Sequence, residues 1–325
     1  MNLITKVESP SFPKKIKYKD KLFFLGSCFA DNIGKKMQDY RFSVKQNPFG
    51  VIFNPISISK IIELIIQNKD YAEENIQEAQ ELFFTYDFHS CFSAYSKREL
   101  QAKIQQEISS SHLFLKESDF LFISLGTAFA YERKESMEIV ANCHKQPGNF
   151  FHKRLLSHEE VVASLQQLCT GLKLINPQLE IIFTISPVRH SKDGFHNNNL
   201  SKARLHLALE DLKKHTEFQY FPSYEILLDE LRDYRFYAHD MLHPNSLAID
   251  YIFESFKEIA IDSASYSLMQ EIEEITKAVN HKLFYPKTKA ALLFRKNLIA
   301  DIEKLMDSNK DVDLADLLAQ IKKPT

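Results

Sequence analysis

Lys21-Leu22-Phe23-Phe24-Leu25-Gly26-Ser27-Cys28-Phe29-Ala30 is an apolar run of strand length that stops abruptly at Gly26-Ser27, with a helix expected directly behind it. In α/β proteins the carboxyl end of a strand, just ahead of a helix, is where the sheet presents its chemistry. Outward from this stretch, apolar runs alternate with helical patterns, which predicts a largely parallel sheet with crossover helices. Strands are expected at 22–25, 43–46, 120–125, 180–186 and 219–222, with peripheral strands near 82–86 and 138–141. The unbroken run Phe120-Leu121-Phe122-Ile123-Ser124-Leu125 suits a strand buried on both faces.

Helix signals fill the intervals. Ser157-His158-Glu159-Glu160 has the form of a capping box. Behind it, Leu165, Leu168, Leu172 and Ile175 recur at helical spacing until Asn176-Pro177 ends the pattern. Pro244 is expected at a helix start, with Ala248, Ile252, Phe256 and Ile259 along one face. From about residue 264 only helical patterns remain, at 268–280, 288–304 and 313–321, and the closing Lys322-Lys323-Pro324-Thr325 is expected to fray. The expected organisation is an α/β domain over 1–263 and a helical extension over 264–325, packed on the core or used for homo-oligomer formation.

Composition narrows the function classes. The apolar share of 44% and charged share of 26% fit a globular protein with a sizeable core. A formal charge of −2 supplies no attraction for nucleic acid, and no apolar run is long enough for a membrane span. Met1-Asn2-Leu3-Ile4-Thr5-Lys6 lacks a secretory pattern, and Cys28, Cys91, Cys143 and Cys169 form no metal-type or disulfide-type spacing. These features predict reduced thiols, a cytoplasmic location and no cofactor.

The chemistry sits in two places. Ser27 at the strand end supplies a hydroxyl, and Asp240-Met241-Leu242-His243-Pro244 supplies an imidazole with a carboxylate to orient it. Alone, a serine at this position is more often a helix cap, and Asp-x-x-His is more often a surface turn. A Gly-x-Ser-x-Gly elbow is absent, which disfavours a standard α/β-hydrolase.

Together these stretches are similar to known proteins. Gly26-Ser27-Cys28-Phe29-Ala30 spells the defining motif of the GSCFA family, which resembles the SGNH (GDSL-type) hydrolases. Asn47-Pro48-Phe49-Gly50, Leu125-Gly126-Thr127-Ala128, Val140-Ala141-Asn142-Cys143-His144-Lys145, Ser186-Pro187-Val188-Arg189-His190 and His239-Asp240-Met241-Leu242-His243-Pro244 resemble the same family. The likeness spans roughly residues 20 to 260 and implies a three-layer α/β/α, flavodoxin-like domain. It implies Ser27 as nucleophile, His243 as general base, Asp240 as its orienting partner and Gly50 as an oxyanion donor, with a plain turn at Gly50 a close second reading. A small-molecule or carbohydrate ester is the implied substrate, with a catalytically inactive ligand-binding module as the alternative.

The departure from that pattern lies after Leu125, where Gly126-Thr127-Ala128-Phe129 replaces the expected Gly-x-Asn-Asp. A missing oxyanion donor costs about 2.7–4 kcal/mol in the transition state. Thr127 or, preferably, Asn142 is expected to fill the gap. Arg189 could hold a substrate carboxylate or phosphate, or brace its loop. Asp193-Gly194 and Asn197 to Asn199 read as a turn and helix entry. Cys28 is expected to pack as a small buried hydrophobe and Cys143 to be structural. A metal set of His239, Asp240 and His243 is disfavoured, because Pro244 places both histidines before the helix.

Overall fold

A computed structural model of the chain describes residues 4–322. Lys323, Pro324 and Thr325, expected to fray, lie outside them. Five strands, β1 (Lys21–Gly26), β2 (Ser43–Gln46), β3 (Phe120–Leu125), β4 (Glu180–Ile185) and β5 (Gln219–Phe221), form one parallel sheet in the order β2-β1-β3-β4-β5. That is the flavodoxin-like strand order, with its switch point between β1 and β3. All five expected strands are present, with ends within a residue of expectation.

Strand periodicity divides the core into two layers. Phe23, Leu25, Leu121, Ile123, Leu125, Ile181 and Phe183 point to one face, against α2 (Pro55–Gln67), α3 (Lys97–Lys116), α4 (His158–Ile175) and α5 (Phe195–Leu212). Leu22, Phe24, Phe120, Phe122 and Ile182 point to the other, against α1 (Cys28–Asp39) and α6 (Ser246–Ala260). Phe24 and Phe122 stack across the β1–β3 pair with centroids 4.5 Å apart, which adds aromatic contact to area burial. The C-terminal helices α7 (Tyr266–Asn280), α8 (Lys289–Ser308) and α9 (Ala315–Lys322) share that second layer: Met269, Ile272, Leu298, Ile302 and Leu317 join the cluster of Phe24 and Phe256. No described helix is long and apolar enough to cross a membrane.

The capping box of α4 forms, with Glu160 N–H donating to Ser157 Oγ at 3.1 Å and Ser157 N–H to Glu160 Oε2 at 2.7 Å. Pro244 differs from expectation. The helix begins at Ser246, because the Asn245 side chain caps it by accepting from Ala248 N–H at 3.1 Å, and Pro244 instead bridges to Tyr237. Two further sheets, both antiparallel, lie outside the central one. In the one built from Phe129–Arg133, Ile139–Val140 and Phe151–Leu155, Ala130 and Glu132 are buried while Phe129 and Tyr131 face outward. This inverts the usual apolar-in alternation, which is why the sequence showed no strand at 129–133.

Gly26 is where this architecture tolerates no side chain. Its φ is +129° and a Cβ there would sit 2.2 Å from the Ser124 carbonyl oxygen on the neighbouring strand. Gly26→Ala therefore combines overpacking with backbone strain, and a loss of about 3 kcal/mol or more is expected. Urea unfolding of the variant beside wild type measures it; an unchanged midpoint would contradict this packing.

Candidate active site

At the end of β1 three hydrogen bonds fix the chain. Gly26 N–H donates to Asn47 Oδ1 at 2.8 Å, and Asn47 Nδ2 donates onward to Asp31 Oδ1 at 2.7 Å, tying the β1–α1 turn to the segment after β2. Ser27 N–H donates to Ser124 O at 3.0 Å, so the turn is also held by β3. Ser27 is the N-cap of α1, its Oγ accepting from Phe29 N–H at 3.2 Å, and it shares a 2.7 Å hydrogen bond with Ser124 Oγ. The cap reading and the nucleophile reading thus fall on the same oxygen.

The second cluster is the loop before α6. Asp240 Oδ1 accepts from the N–H groups of Leu242 and His243, at 2.9 and 3.0 Å, while Oδ2 lies 2.6 Å from His243 Nδ1. Those donors hold the Asp240 carboxyl well below the usual carboxylate range, so it is ionised at neutral pH. An anion at Nδ1 favours the tautomer with the proton there, leaving Nε2 as a base. That nitrogen has no hydrogen-bond partner among the described residues. Met241 adopts a left-handed φ of 58° to make the turn, and Arg189 N–H donates to Leu242 O at 3.4 Å, joining this loop to the one after β4.

Ser27 and His243 line one cavity of about 380 Å³ at the carboxyl ends of β1, β3 and β4, beside the switch point. Thr127, Phe53, Phe129, Tyr131, Ser186 and Arg189 line it too. A larger cavity of about 620 Å³ lies between α7 and α8, lined by Ile275, Leu298, Asp301 and Lys304 among others. No serine and histidine occur together among its lining residues, so the smaller cavity is the candidate site on chemistry rather than size.

The remaining sequence candidates divide. Thr127 and Arg189 are at the cavity; Gly50 and Asn142 are not among its lining residues. Gly50 is a turn residue: its φ is +78°, its N–H donates to Asn47 O at 2.8 Å, and a Cβ would meet that of His89 at 2.5 Å. Asn142 spends its Oδ1 on His144 N–H at 2.8 Å, capping its own turn. Cys28 is exposed at the cavity rather than buried, because the first turn of α1 faces it there. Protein crowding it on the other sides, with Asp31 nearby, pushes its thiol up. Burial pushes the Cys143 thiol up to about 11, which leaves it inert at neutral pH. Among the described residues no group of three or more His, Cys, Asp or Glu side chains is placed to hold a metal ion, His239, Asp240 and His243 included.

Several contributors escaped the sequence reading. Lys202 is 1% exposed and donates to Gly126 O at 2.6 Å and Ser186 O at 2.5 Å, tying together the ends of β3 and β4. Burial, reinforced by the Arg189 charge, pulls its pKa down to about 7; the two carbonyls oppose this, and either protonation state keeps two N–H donors for them. Ser201 accepts from Ala128 N–H at 2.7 Å and lies 2.8 Å from Thr127 Oγ1. The available signal was a polar set, Asn198, Ser201 and Lys202, on the same buried face of α5 as Leu205 and Leu209. Ser124, by contrast, reads as one more residue of a buried strand.

A family model described as the GSCFA family matches residues 21–256, and a second, described as the C-terminal domain of GSCFA domain proteins, matches residues 272–324. No curated protein matches the chain.

His190, which also lines the cavity, yields a pH test. Burial pulls its imidazole down to about 4, and the Lys202 charge adds to this, so the native state keeps it neutral. An unfolded histidine takes its proton near the ordinary value of about 6.5. The stability it contributes is complete above that pH and lost as the pH falls through 6.5 toward about 4. Wild type should lose up to about 2–3 kcal/mol more than His190→Phe between those limits, read from urea midpoints. Parallel pH profiles would show that the imidazole is not held neutral.

Proposed function

The chain belongs to the GSCFA family, and from that premise we propose a serine-dependent hydrolase or acyltransferase acting on acyl esters, working in the manner of the SGNH hydrolases. The observation that carries the reading is Ser27 and His243 on the wall of one cavity, with Asp240 on the far nitrogen of the imidazole. In this mechanism the Ser27 hydroxyl swings from Ser124 toward the substrate and attacks the acyl carbonyl. His243 Nε2 takes the hydroxyl proton, then passes it to the departing alcohol, leaving an acyl-serine. Water or a second alcohol, deprotonated by the same nitrogen, resolves that ester. Asp240 stays ionised throughout and steadies the imidazolium.

The oxyanion donors follow from which N–H groups are free. Those of Ser27, Phe29 and Ala30 are taken by Ser124 O, Ser27 Oγ and Ser27 O. The first N–H of α1, that of Cys28, makes no hydrogen bond to another residue among those described; Cys28 lines the cavity, and this N–H, at the positive end of the helix dipole, would be the first donor. Thr127 supplies the second donor. Its Oγ1 already accepts from Phe129 N–H at 3.1 Å. Either hydroxyl of the Thr127–Ser201 pair can donate; in this mechanism Ser201, which accepts from Ala128, donates to Thr127, and the Thr127 proton then turns to the cavity. This pair would stand in for the asparagine absent after Gly126.

A second reading, an inactive ligand-binding module, is favoured by one observation: Ser27 Oγ is held by Ser124 and Phe29 N–H rather than by His243.

Turnover of p-nitrophenyl acetate separates the two readings. Ser27→Ala and His243→Ala should each abolish it, with Ser27→Ala losing only about 0.5–2 kcal/mol of stability as a lost helix cap. Thr127→Val should lower kcat by about 10²–10³ with little change in KM. Wild-type rates in folded Ser27→Ala would sink the mechanism, and ligand binding without turnover by wild type would favour the module.

A further inference from the structure

The charge on the cavity wall is one-sided. Arg189, Lys192, Lys153 and Asp193 all line it. The Asp193 carboxylate, almost fully buried, is committed to Lys153, whose Nζ also lies over the Phe129 and Tyr131 rings at 5.3 and 5.1 Å. Neither Arg189 nor Lys192 has a carboxylate partner among the described residues, so two cationic side chains face the cavity uncompensated. Arg189 is nonetheless positioned: one terminal nitrogen donates to Asn199 Oδ1 at 3.1 Å, and its guanidinium lies over the Phe195 ring at 5.4 Å. Its Nε–H is buried without a hydrogen-bond partner among the described residues, so the terminal nitrogens are what the guanidinium can offer the cavity it lines. A carboxylate or phosphate accepts charge-assisted hydrogen bonds from such nitrogens.

We infer that this cavity selects esters that carry an anionic group, a carboxylate or a phosphate, held by Arg189 and Lys192 while the ester lies at Ser27. The aromatic side chains Phe53, Phe129 and Tyr131 would take the apolar body joining the two groups. The inference rests on the acyl-ester reading for its ester half alone; the anion half stands on the wall itself.

The two halves are tested apart. Binding is measured by titration calorimetry with the Ser27→Ala protein and three probes: monomethyl succinate, its neutral dimethyl ester, and inorganic phosphate. Monomethyl succinate or phosphate should bind about tenfold or more tightly than dimethyl succinate, and the stronger of the two identifies the anion. The preference should collapse toward one in Arg189→Gln, shrink in Lys192→Gln, and weaken with added salt. Equal affinities for all three probes, or no binding by any, would overturn the inference whether or not the protein is an esterase. Turnover of p-nitrophenyl acetate beside the p-nitrophenyl monoester of succinic acid then reads the ester half. A preference in kcat/KM for the acidic ester that Arg189→Gln removes supports the inference. Equal rates that Ser27→Ala abolishes would overturn it while leaving the serine mechanism standing.

Discussion

The candidate site hangs on the close approach of two backbones at the sheet's switch point. Gly26 lies against the Ser124 carbonyl at a distance that excludes a Cβ, and Ser27 N–H donates to that same oxygen at 3.0 Å. Only a residue without a side chain permits this contact at positive φ. From that contact the chain turns directly into α1, which puts a serine at the helix N-cap and sets its hydroxyl 2.7 Å from Ser124 Oγ. Asn47 then locks the turn from β2's side through Gly26 and Asp31. The Asn-Pro-Phe-Gly segment therefore acts on the β1 turn through its asparagine, while its glycine only makes that segment's own bend.

Around this fixed point the site is assembled from elements far apart in sequence. The Asp240–His243 turn arrives from before α6 and is joined to the β4 loop by Arg189 N–H. The strand at Phe129–Arg133 turns its aromatic face outward and forms one wall. Beneath the site, Lys202 holds the ends of β3 and β4 by two carbonyls, a task that a buried lysine performs at the cost of a depressed pKa. Around the cavity, Arg189 and Lys192 have no carboxylate partner among the described residues.

How much of this was legible depended on whether a residue's role was local. The central strands and the capped helix α4 were legible because strand length, helical spacing and a capping box are properties of neighbours in sequence. The hairpin at Phe129–Arg133 was not, because its buried face carries Ala130 and Glu132, with Glu132 held by Arg154, and its aromatic residues serve a cavity. Ser27, Asp240 and His243 stood out as candidates through residue type and motif. Gly50 and Asn142 sat in plausible motifs, but the Gly50 N–H is consumed within its own turn and neither residue lines the cavity, which only coordinates reveal. Lys202 and Ser201 left a faint trace, polar residues on the buried stripe of α5, that could have been weighted more heavily.

By itself the sequence determined the fold class, the strand-end position of Ser27, the Asp-x-x-His pair and the family, because period, length and short motifs are written in consecutive residues. Tertiary structure alone decided which groups share a cavity and, among the described residues, which polar atoms lack a partner and which charges lack a counter-ion. Those are sums over neighbours supplied by β1, β3, β4, α5 and the loop before α6. A hydrogen bond or ion pair formed with any one of them changes what the others can do.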